Sequence, residues 1–527
     1  MNLILSAGVV IAAAVIGIML QRHLLHAIPI NYINVFLGMS LALIPISNHA
    51  VVAFHSELFM GIVVAPLLFF EGMETRFHLV AKKWKQILSL TIIMVLACYV
   101  VAGFAAHAVG IMSMPLAFIL AAISTPTDAT ASDAVSDGLV IPKKERTYLK
   151  LESLFNDASG LILLNTAILW YVNGYINFTQ TLTNFLYSAV GGVIVGFLVA
   201  MVLILIRQSI LHMDSIRNNP SYNGTPALVI FMATPFFIYY LAEAIHVSGI
   251  IAVVCAGLMH NAEAERSRLT NPRLITNSNV VTELFTEIMN GIVFVMLGVV
   301  LVRITRHNEA IHSPGAWLFV GMVLYLGNVL VRLVYSKFVM KMDWHASWVF
   351  ALGGVHGAVT FALAYMVAET AVKRTDFEMV LMAEAVLIIL SLLVPTIVFR
   401  FILPKEADTH EIQQKINYFR KAMVKHAIDR INQIYLPDEL KRQIIFDLRA
   451  QMGQTTLRHF IYAFRKTLRQ PDMNAAETNT LEMAYRLAFQ EEREYLSTIS
   501  QQEERFMPIV SHLYSEILMA EIVILED

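Results

Sequence analysis

The sequence predicts an all-α polytopic membrane protein with a soluble helical domain after it. Of its 527 residues, 57% are hydrophobic and only 15% are charged, and the mean hydropathy is positive. This composition is typical of a chain that lies mostly within a lipid bilayer. Apolar segments that could span a membrane recur as far as residue 403, and amphipathic segments with helical spacing follow it. We therefore predict a transmembrane domain over residues 1–403 and a cytoplasmic helical tail over residues 404–527.

The apolar segments before residue 404 predict about thirteen membrane-spanning helices, at about 20 residues per span. The first segment begins MNLILSAGVV and lacks the basic region of a signal peptide, so we expect it to remain in the protein as a helix. The predicted spans lie near residues 3–21, 28–46, 51–72, 87–110, 113–137, 147–171, 182–206, 226–243, 246–260, 281–302, 315–338, 345–370 and 379–402.

The Lys and Arg residues of the loops predict the orientation of the chain. Basic residues accumulate in cytoplasmic loops. One side of the predicted arrangement includes the basic clusters at 82–85 and 143–146. The other side has only Arg303, Arg306, Lys373 and Arg374. This bias predicts a multi-pass protein of the cell membrane with its amino end outside and its tail in the cytoplasm.

Thirteen spans can form two repeats of six helices with opposite orientation and one linking helix. This inverted-repeat plan is common in secondary transporters, and it predicts that an interrupted helix in one repeat recurs in the other. The fifth span contains Pro126, and its partner, the twelfth, contains Gly353, Gly354 and Gly357. We therefore predict discontinuous helices at both positions.

Pro126 lies in the polar stretch STPTDATASDAVSDG, which begins at Ser124. Proline has no N–H to donate and disfavours helical geometry at the preceding residue, so the helix should unwind from about Thr125 to Asp128. Unwound backbone at membrane depth exposes carbonyl oxygens, which can coordinate a hard cation where a water-filled cavity surrounds them.

The sixth span presents a polar face in the sequence LESLFNDASG. Glu152 with Asn156, and Ser153 with Asp157, are i, i+4 pairs and therefore share one helix face. Ionisable groups at membrane depth are costly and usually mark an ion or proton path. Hydroxyl, carbonyl and carboxylate oxygens suit a small alkali ion. The predicted ligands of the cation and proton are Asp157, Asp128, Ser153, Thr127, Glu152 and Asn156, the metal ligands among them being Asp157, Asp128, Ser153 and Thr127.

The motifs TPTDATA and ESLFND resemble the paired motifs of sodium/proton exchangers of the NhaP and NHE type, in the monovalent cation/proton antiporter superfamily. Further matches follow in the order of that family: PLLFFEGMETRF (66–77), LAEAIHVSGIIAVVCAGL (241–258), FTEIMNGIVFVMLG (285–298), NVLVRLVYS (328–336) and GGVHGAVTFALA (353–364). The chain departs from the family in two places. Ala129 stands where the family usually has Pro, and Val355-His356-Gly357 stands where it often has Leu-Arg-Gly.

The resemblance implies an antiporter that works as a homodimer, with a core bundle that moves against a dimerisation scaffold. The core bundle would comprise about 87–172 and 315–402, and the scaffold about 1–72 and 226–303. The resemblance also implies a structural ion pair between Arg332 and Glu152. An Asn156–Asp157 pair is the mark of the electroneutral branch of the family.

Asp157 is the predicted carrier of both substrates. Burial disfavours the charged form of a carboxyl group, so near neutral pH this one group can hold either a proton or a cation. Such competition is sufficient for exchange. Asp128 either binds the cation directly or balances the positive amino end of a half-helix. His356 either senses pH or packs as a hydrogen-bonded side chain at the glycine-rich break.

The predicted function is secondary antiport of Na⁺, or Li⁺ or K⁺, for H⁺, which would contribute to pH homeostasis. A cation channel is the first alternative, but it would need a pore-lining ring from several subunits. An intramembrane enzyme is the second, and it would need a nucleophile with a base, for which Ser153 and His356 are present. We expect transport and not enzyme activity, because the carboxylates around Ser153 suit a cation better than an acyl transition state.

The composition also limits the partners and cofactors that we expect. A formal net charge of −2 gives no basic face for nucleic acid. Cys98 and Cys255 both lie inside apolar segments, so they predict neither a disulfide framework nor a metal site. The expected partners are therefore the lipid bilayer and a second copy of the chain, with no cofactor beyond the transported Na⁺ (or Li⁺ or K⁺) and H⁺.

Overall fold

The protein is all-helical in the part of the chain that the structure describes. A computed structural model describes residues 3–25, 28–45, 51, 56–175, 178–216, 225–267, 272–307, 314–367, 372–405, 409–452, 475–502 and 506–525. No β-strand occurs in these ranges. The chain divides into two compact units, Met1–Pro404 and Lys405–Asp527.

The helices of the first unit are α1 (Leu3–His23), α2 (Ile30–Leu43), α3 (Ser56–Phe59), α4 (Ala65–Met73), α5 (Phe77–Leu88), α6 (Val95–Ala108), α7 (Met114–Ile123), α8 (Ala129–Val135), α9 (Lys143–Asn173), α10 (Phe178–Ile216), α11 (Thr225–Ala244), α12 (Gly249–Ser267), α13 (Pro272–His307), α14 (Pro314–Val334), α15 (Trp344–Leu352), α16 (Ala358–Met366) and α17 (Arg374–Ile402). Among the described residues, seven helices are long and apolar enough to cross a membrane, judged by length and composition. The thirteen spans and the inverted repeats stay predictions.

Three π-helical segments continue neighbouring α-helices without a break in the chain direction. Met60–Val64 joins α3 to α4, Ser89–Met94 joins α5 to α6, and Tyr335–Val339 extends α14. Single π-helical turns widen a helix locally and are frequent near functional sites. The first of them directly precedes α4, which carries an acidic side chain of the candidate site described below.

Two helices are interrupted in the middle of the first unit, as the sequence predicts for the fifth and twelfth spans. The helix α7 ends at Ile123 and α8 begins at Ala129, so the break contains Pro126. The helix α15 ends at Leu352 and α16 begins at Ala358, so the second break contains the three glycines of GGVHG. The residues of both breaks are buried except Asp128, which is half-buried, and burial within protein is a condition under which irregular backbone is tolerated at membrane depth.

Close helix packing in the first unit depends on small residues. The helices α2 and α13 approach at Gly38 and Gly298, where an added Cβ would overlap the backbone of the facing helix. The helices α4 and α12 approach in the same way at Gly72 and Gly257. Where lipid replaces water, close packing of this kind takes over part of the role of the hydrophobic effect. It therefore fixes the position of α4, which lines the candidate site.

The second unit contains α18 (Thr409–Gln433), α19 (Asp438–Ala450), α20 (Ala475–Gln502) and α21 (Met507–Leu525). Its core is a cluster of apolar side chains contributed by all four helices, among them Val424, Ile444, Phe489 and Leu513. These residues are fully buried or nearly so. The amphipathic pattern in the sequence therefore corresponds to the buried faces of a helical bundle.

Candidate ion-binding site

The two helix breaks meet each other and exchange backbone hydrogen bonds. The Asp128 N–H donates to the carbonyl oxygen of Val355, at 2.7 Å. In return, the carbonyl oxygen of Pro126 accepts from the His356 Nδ1 at 2.6 Å and from the Thr360 hydroxyl at 3.1 Å. Unwound backbone has lost its helical partners, and each unpaired buried group would be costly. The two breaks therefore stabilise each other at a crossing.

Asp128 links the amino ends of both half-helices at this crossing. Its Oδ1 accepts from the Ala131 N–H at 3.0 Å and from the Thr130 hydroxyl at 2.6 Å, so Asp128 is the N-cap of α8. Its Oδ2 accepts from the N–H of Ala358, the first residue of α16, at 3.3 Å. A side chain at Gly357 would overlap this carboxylate. Asp128 is thus placed to balance the positive ends of two half-helices.

The polar face of α9 lies directly against the first break. The Ser153 hydroxyl accepts from the Ala129 N–H at 3.0 Å, and the Asn156 Nδ2 donates to the Thr127 hydroxyl at 2.8 Å. Asp157, one turn after Ser153, is only 2% exposed. The helical spacing that places these side chains on one face therefore also turns them toward Thr127 and Ala129.

Glu71 of α4 also belongs to this site, where the sequence left it as either a helix-interface or a cavity-lining group. The Ser153 hydroxyl donates to its Oε1 at 3.1 Å. Glu71 lines the same cavity as Asp128 and Asp157. One signal was available, because an acidic residue inside the apolar run PLLFFEGM suggests a functional site at membrane depth. Its partner Ser153 could not be known, since the two residues are 82 positions apart.

A cavity of about 60 Å³ joins these oxygen atoms. It is roughly large enough for an ion with a few waters, since one water needs about 10–15 Å³. The Oδ1 of Asp157 is buried and accepts no hydrogen bond from a described residue. No group of three or more His, Cys, Asp or Glu side chains that could hold a metal ion occurs among the described residues. The polar side chains that line the cavity include both carboxylates and hydroxyls, namely Glu71, Thr127, Asp128, Ser153 and Asp157.

Arg332 and Glu152 form a buried ion pair beside the crossing. The Arg332 Nη1 donates to the Glu152 Oε1, and the two side chains are 4% and 1% exposed. The remaining donors of Arg332 reach the carbonyl oxygens of Ala351 at 3.2 Å and Phe350 at 3.0 Å, in the last turn of α15. The guanidinium therefore satisfies both a carboxylate and the negative end of a half-helix. Glu152 and Arg332 do not line the cavity.

His356 lies within the second break and is 2% exposed. Its ring bonds the Pro126 carbonyl, and its own N–H donates to the Ser391 hydroxyl of α17 at 3.0 Å. It is not among the residues that line the cavity. These contacts support the interpretation of His356 as a packing side chain that joins the two breaks.

A multi-pass helical protein with carboxylates at the crossing of two interrupted helices has the architecture of an ion-coupled secondary transporter. The sequence profile of the transmembrane sodium/hydrogen exchangers matches residues 8–405 of this chain. The chain therefore belongs to the sodium/hydrogen exchanger family.

Three bacterial proteins illustrate the relationship. A sodium, potassium, lithium and rubidium/H⁺ antiporter of Bacillus pumilus is 27% identical over 489 residues, which cover 88% of this chain and 71% of that protein. The antiporter of the same name from Bacillus subtilis is 29% identical, over 77% of this chain and 62% of its own length. A protein of Escherichia coli named as the uncharacterized Na⁺/H⁺ exchanger YjcE is 31% identical, with 74% of each chain covered. The relatives are thus named as transporters.

A solved structure supports the fold. The sodium proton antiporter MjNhaP1 from Methanocaldococcus jannaschii superposes with a TM-score of 0.58 at 20% identity. The match covers 75% of this chain and 100% of the archaeal chain. At this identity, the similarity shows a shared fold.

Proposed function

We propose that the protein exchanges Na⁺ for H⁺, with the cation and the proton competing for Asp157. One observation carries this proposal: Asp157 lines a small cavity at a helix crossing, beside hydroxyl and carboxylate groups, and one of its buried carboxylate oxygens has no hydrogen-bond partner among the described residues. A bare charge there would be costly, so the carboxylate favours either a proton or a cation as partner. Ser153, Thr127, Asp128 and Glu71 supply further oxygen atoms for the cation.

The two occupants of Asp157 give the protein a mechanism of exchange. A site that is neutralised by either ion can move through the membrane in both directions, whereas the empty site would carry an unpaired charge. We propose alternating access in which a core bundle (about 87–172 and 315–402) moves against a scaffold (about 1–72 and 226–303). The hydrogen bond between Tyr32 of α2 and Thr396 of α17, at 3.2 Å, joins the two proposed parts. A homodimer would hold the scaffold in place.

Na⁺ is the cation that the family name favours, and Li⁺ and K⁺ are further candidates. The names of the Bacillus relatives include potassium, lithium and rubidium as well as sodium. All these ions use oxygen ligands of the same kinds. We place the protein in the cell membrane with its amino end outside, because the basic loops predict a cytoplasmic face.

The first prediction is that Asp157→Asn abolishes cation-dependent proton flux. Asparagine keeps the size of the side chain but can neither hold a proton nor neutralise a cation. The measurement is the decay of an imposed pH gradient in proteoliposomes after addition of Na⁺, Li⁺ or K⁺. Asp137→Asn, the same change at an exposed position beyond α8, is the matched control and should retain flux. Substantial flux through a folded Asp157→Asn protein would refute the assignment.

The second prediction is that a membrane potential does not drive the exchange. If one monovalent cation exchanges for one proton at Asp157, no net charge crosses the membrane per cycle. A net charge would couple to the potential by about 2.3 kcal/mol per 100 mV. A valinomycin-imposed potential, applied after K⁺ has been excluded as a substrate, should leave the equilibrium point of Na⁺-coupled proton flux unchanged. A shift would reveal a second proton site, and Glu71→Gln should then remove that shift.

A further inference from the structure

The helix α5 carries a dense basic and aromatic segment, Lys82-Lys83-Trp84-Lys85. The backbone departs from helical geometry at Lys83, with φ −104° and ψ 15°. Lys82, Trp84 and Lys85 are exposed. The segment lies just before the π-helical turn that leads into α6, and hence at the end of a helix that could span the membrane.

The basic surface extends from α5 onto α9. The Lys83 Nζ lies 4.5 Å from the centroid of the Tyr148 ring of α9. Lys144 precedes Tyr148 by four residues, so it shares the same face of α9 one turn away. Lys83 and Lys144 therefore lie close together, in spite of their like charges. Two helices thus contribute to one cationic surface.

A third element continues the surface at the end of α14. The Ser89 hydroxyl, one turn after Lys85, hydrogen bonds the Tyr335 hydroxyl in the π-helical segment. This contact joins the end of α5 to the segment that carries Lys337, two residues after Tyr335. The Lys337 Nζ lies 4.9 Å from the ring centroid of Trp344.

The charge of this surface is not neutralised by the described part of the protein. The described ion pairs of α9 join Arg146 to Asp133, Lys150 to Glu74 and Glu152 to Arg332, and none of them involves a lysine of the cluster. Of the carboxylates nearby in sequence, Glu145 is buried, and Asp343 caps α15 through the Ala346 N–H. The cluster formed by Lys82, Lys83, Lys85, Lys144 and Lys337 therefore presents positive charge without a described acidic partner.

The aromatic and apolar residues beside the cluster indicate what the partner is. Trp84 and Trp344 are 54% and 57% exposed, and tryptophan is enriched where a bilayer meets water. Phe338 and Val339, next to Lys337, are also exposed. A partner that matches both features has an anionic head and an apolar body. We propose that this surface binds the headgroup of an anionic phospholipid in the leaflet on its side of the membrane, with acyl chains against Phe338 and Val339.

Binding here would act on the helices that carry the transport site. The helix α9 carries Asp157, and α14 carries Arg332. A headgroup bound by Lys83, Lys144 and Lys337 would link α5, α9 and the end of α14. Anionic lipid should accordingly stabilise these three helices as a group. This consequence does not require that the protein transports Na⁺.

The test is a thermal-stability titration of the full-length protein in detergent, with phosphatidylglycerol or phosphatidylcholine added. We expect phosphatidylglycerol to raise the melting temperature of the wild type, and phosphatidylcholine to have a much smaller effect. Replacing Lys82, Lys83, Lys85 and Lys144 together by Gln should raise the phosphatidylglycerol concentration at half-effect at least about fivefold, the factor for the loss of about 1 kcal/mol.

Two further variants make the outcome specific. A control protein removes four exposed tail cations by changing Lys421, Lys425, Arg449 and Arg486 to Gln, and it should respond to lipid like the wild type. If the fourfold lysine variant does not fold, the double variant with Lys83→Gln and Lys144→Gln replaces it. A variant with Lys83→Arg and Lys144→Arg keeps both charges and should respond to phosphatidylglycerol like the wild type. An unchanged lipid response in the folded lysine variant would overturn the proposal, as would equal stabilisation by glycerol phosphate, which has no acyl chains.

Discussion

At the scale of single residues, Asp128 shows how one carboxylate can serve both the backbone and the site. The sequence left two roles open for it, cation ligand or partner of a half-helix. The structure shows hydrogen bonds to the amino ends of α8 and α16, and the same side chain lines the cavity. Both oxygens of Asp128 therefore accept hydrogen bonds from the protein itself. Among the described residues, none donates a hydrogen bond to the Oδ1 of Asp157, which is why we propose Asp157 as the carrier.

Glu492 of the second unit is another buried carboxylate, and its surroundings predict a pH-dependent bundle. Both its carboxylate oxygens lack a hydrogen-bond partner among the described residues, and the side chain lies on the core face with Phe489 and Leu496. Burial raises the pKa of Glu492 from 4.5 to about 8, and the neighbouring Arg493 only partly opposes this shift. Between about pH 4.5 and pH 8, Glu492 is therefore protonated in the folded bundle and ionised in the unfolded chain.

The pKa difference between the folded and unfolded states determines whether stability rises or falls with pH. Folding stability contributed by protonated Glu492 is fully present below pH 4.5, decreases as the pH rises, and is lost by about pH 8. Hydrogen exchange of α20 in the full-length protein should show an opening free energy that falls by about 1.4 kcal/mol per pH unit within this window. Glu492→Gln should remove the slope.

Other titratable groups also contact α20, so a control variant must show that they do not cause the pH dependence. His426 and Arg430 of α18 pair with Glu491, Glu521 of α21 pairs with Arg493, and Asp447 of α19 accepts from Tyr485. His426→Gln tests whether the imidazole causes the slope. A slope that persists in Glu492→Gln and disappears in His426→Gln would contradict the prediction.

At the scale of helices, two half-helix ends at the crossing each meet a side chain of opposite charge. The half-helix α15 directs its carbonyl end at Arg332, and α16 directs its amino end at Asp128. Pro126 and the glycines of GGVHG were sufficient to predict that both helices break. They could not predict that the Pro126 carbonyl accepts from His356, because these residues are 230 positions apart and no local pattern fixes their pairing.

The ion pair of Arg332 and Glu152 should behave as a unit in a double-mutant cycle. Changing either residue to Gln leaves a buried, unpaired charge, which costs about 3–5 kcal/mol of folding stability. Changing both should cost less than the sum of the single changes. The measurement is the free energy of unfolding in detergent for the wild type, both single variants and the double variant.

The exposed pair of Arg146 and Asp133 provides the comparison, since its side chains are 63% and 50% exposed. Its coupling should be at most about 1 kcal/mol, as is usual at surfaces. Additive losses at Arg332 and Glu152 would mean that the pair does not contribute as a unit.

At the scale of the whole molecule, composition and periodicity predicted the features that are determined by residues close together in the sequence. They gave the all-helical class, the multi-pass arrangement, the helical tail and the polar face of α9. They left Glu71 as either a helix-interface or a cavity-lining group, because its place beside Ser153 depends on how α4 packs between distant helices. The same limit applies to the lysine surface, whose three elements are separated in sequence but brought together by Tyr148 and Tyr335.

The central claim is that a cation and a proton compete for Asp157, and proton release on cation binding tests it most directly. Na⁺ is added to purified protein in weakly buffered detergent solution with a pH-sensitive dye. The account predicts the release of about one proton per bound Na⁺ from the wild type and from Asp137→Asn, and none from Asp157→Asn, because one site holds one ion at a time. Proton release by folded Asp157→Asn equal to that of the wild type would contradict the account.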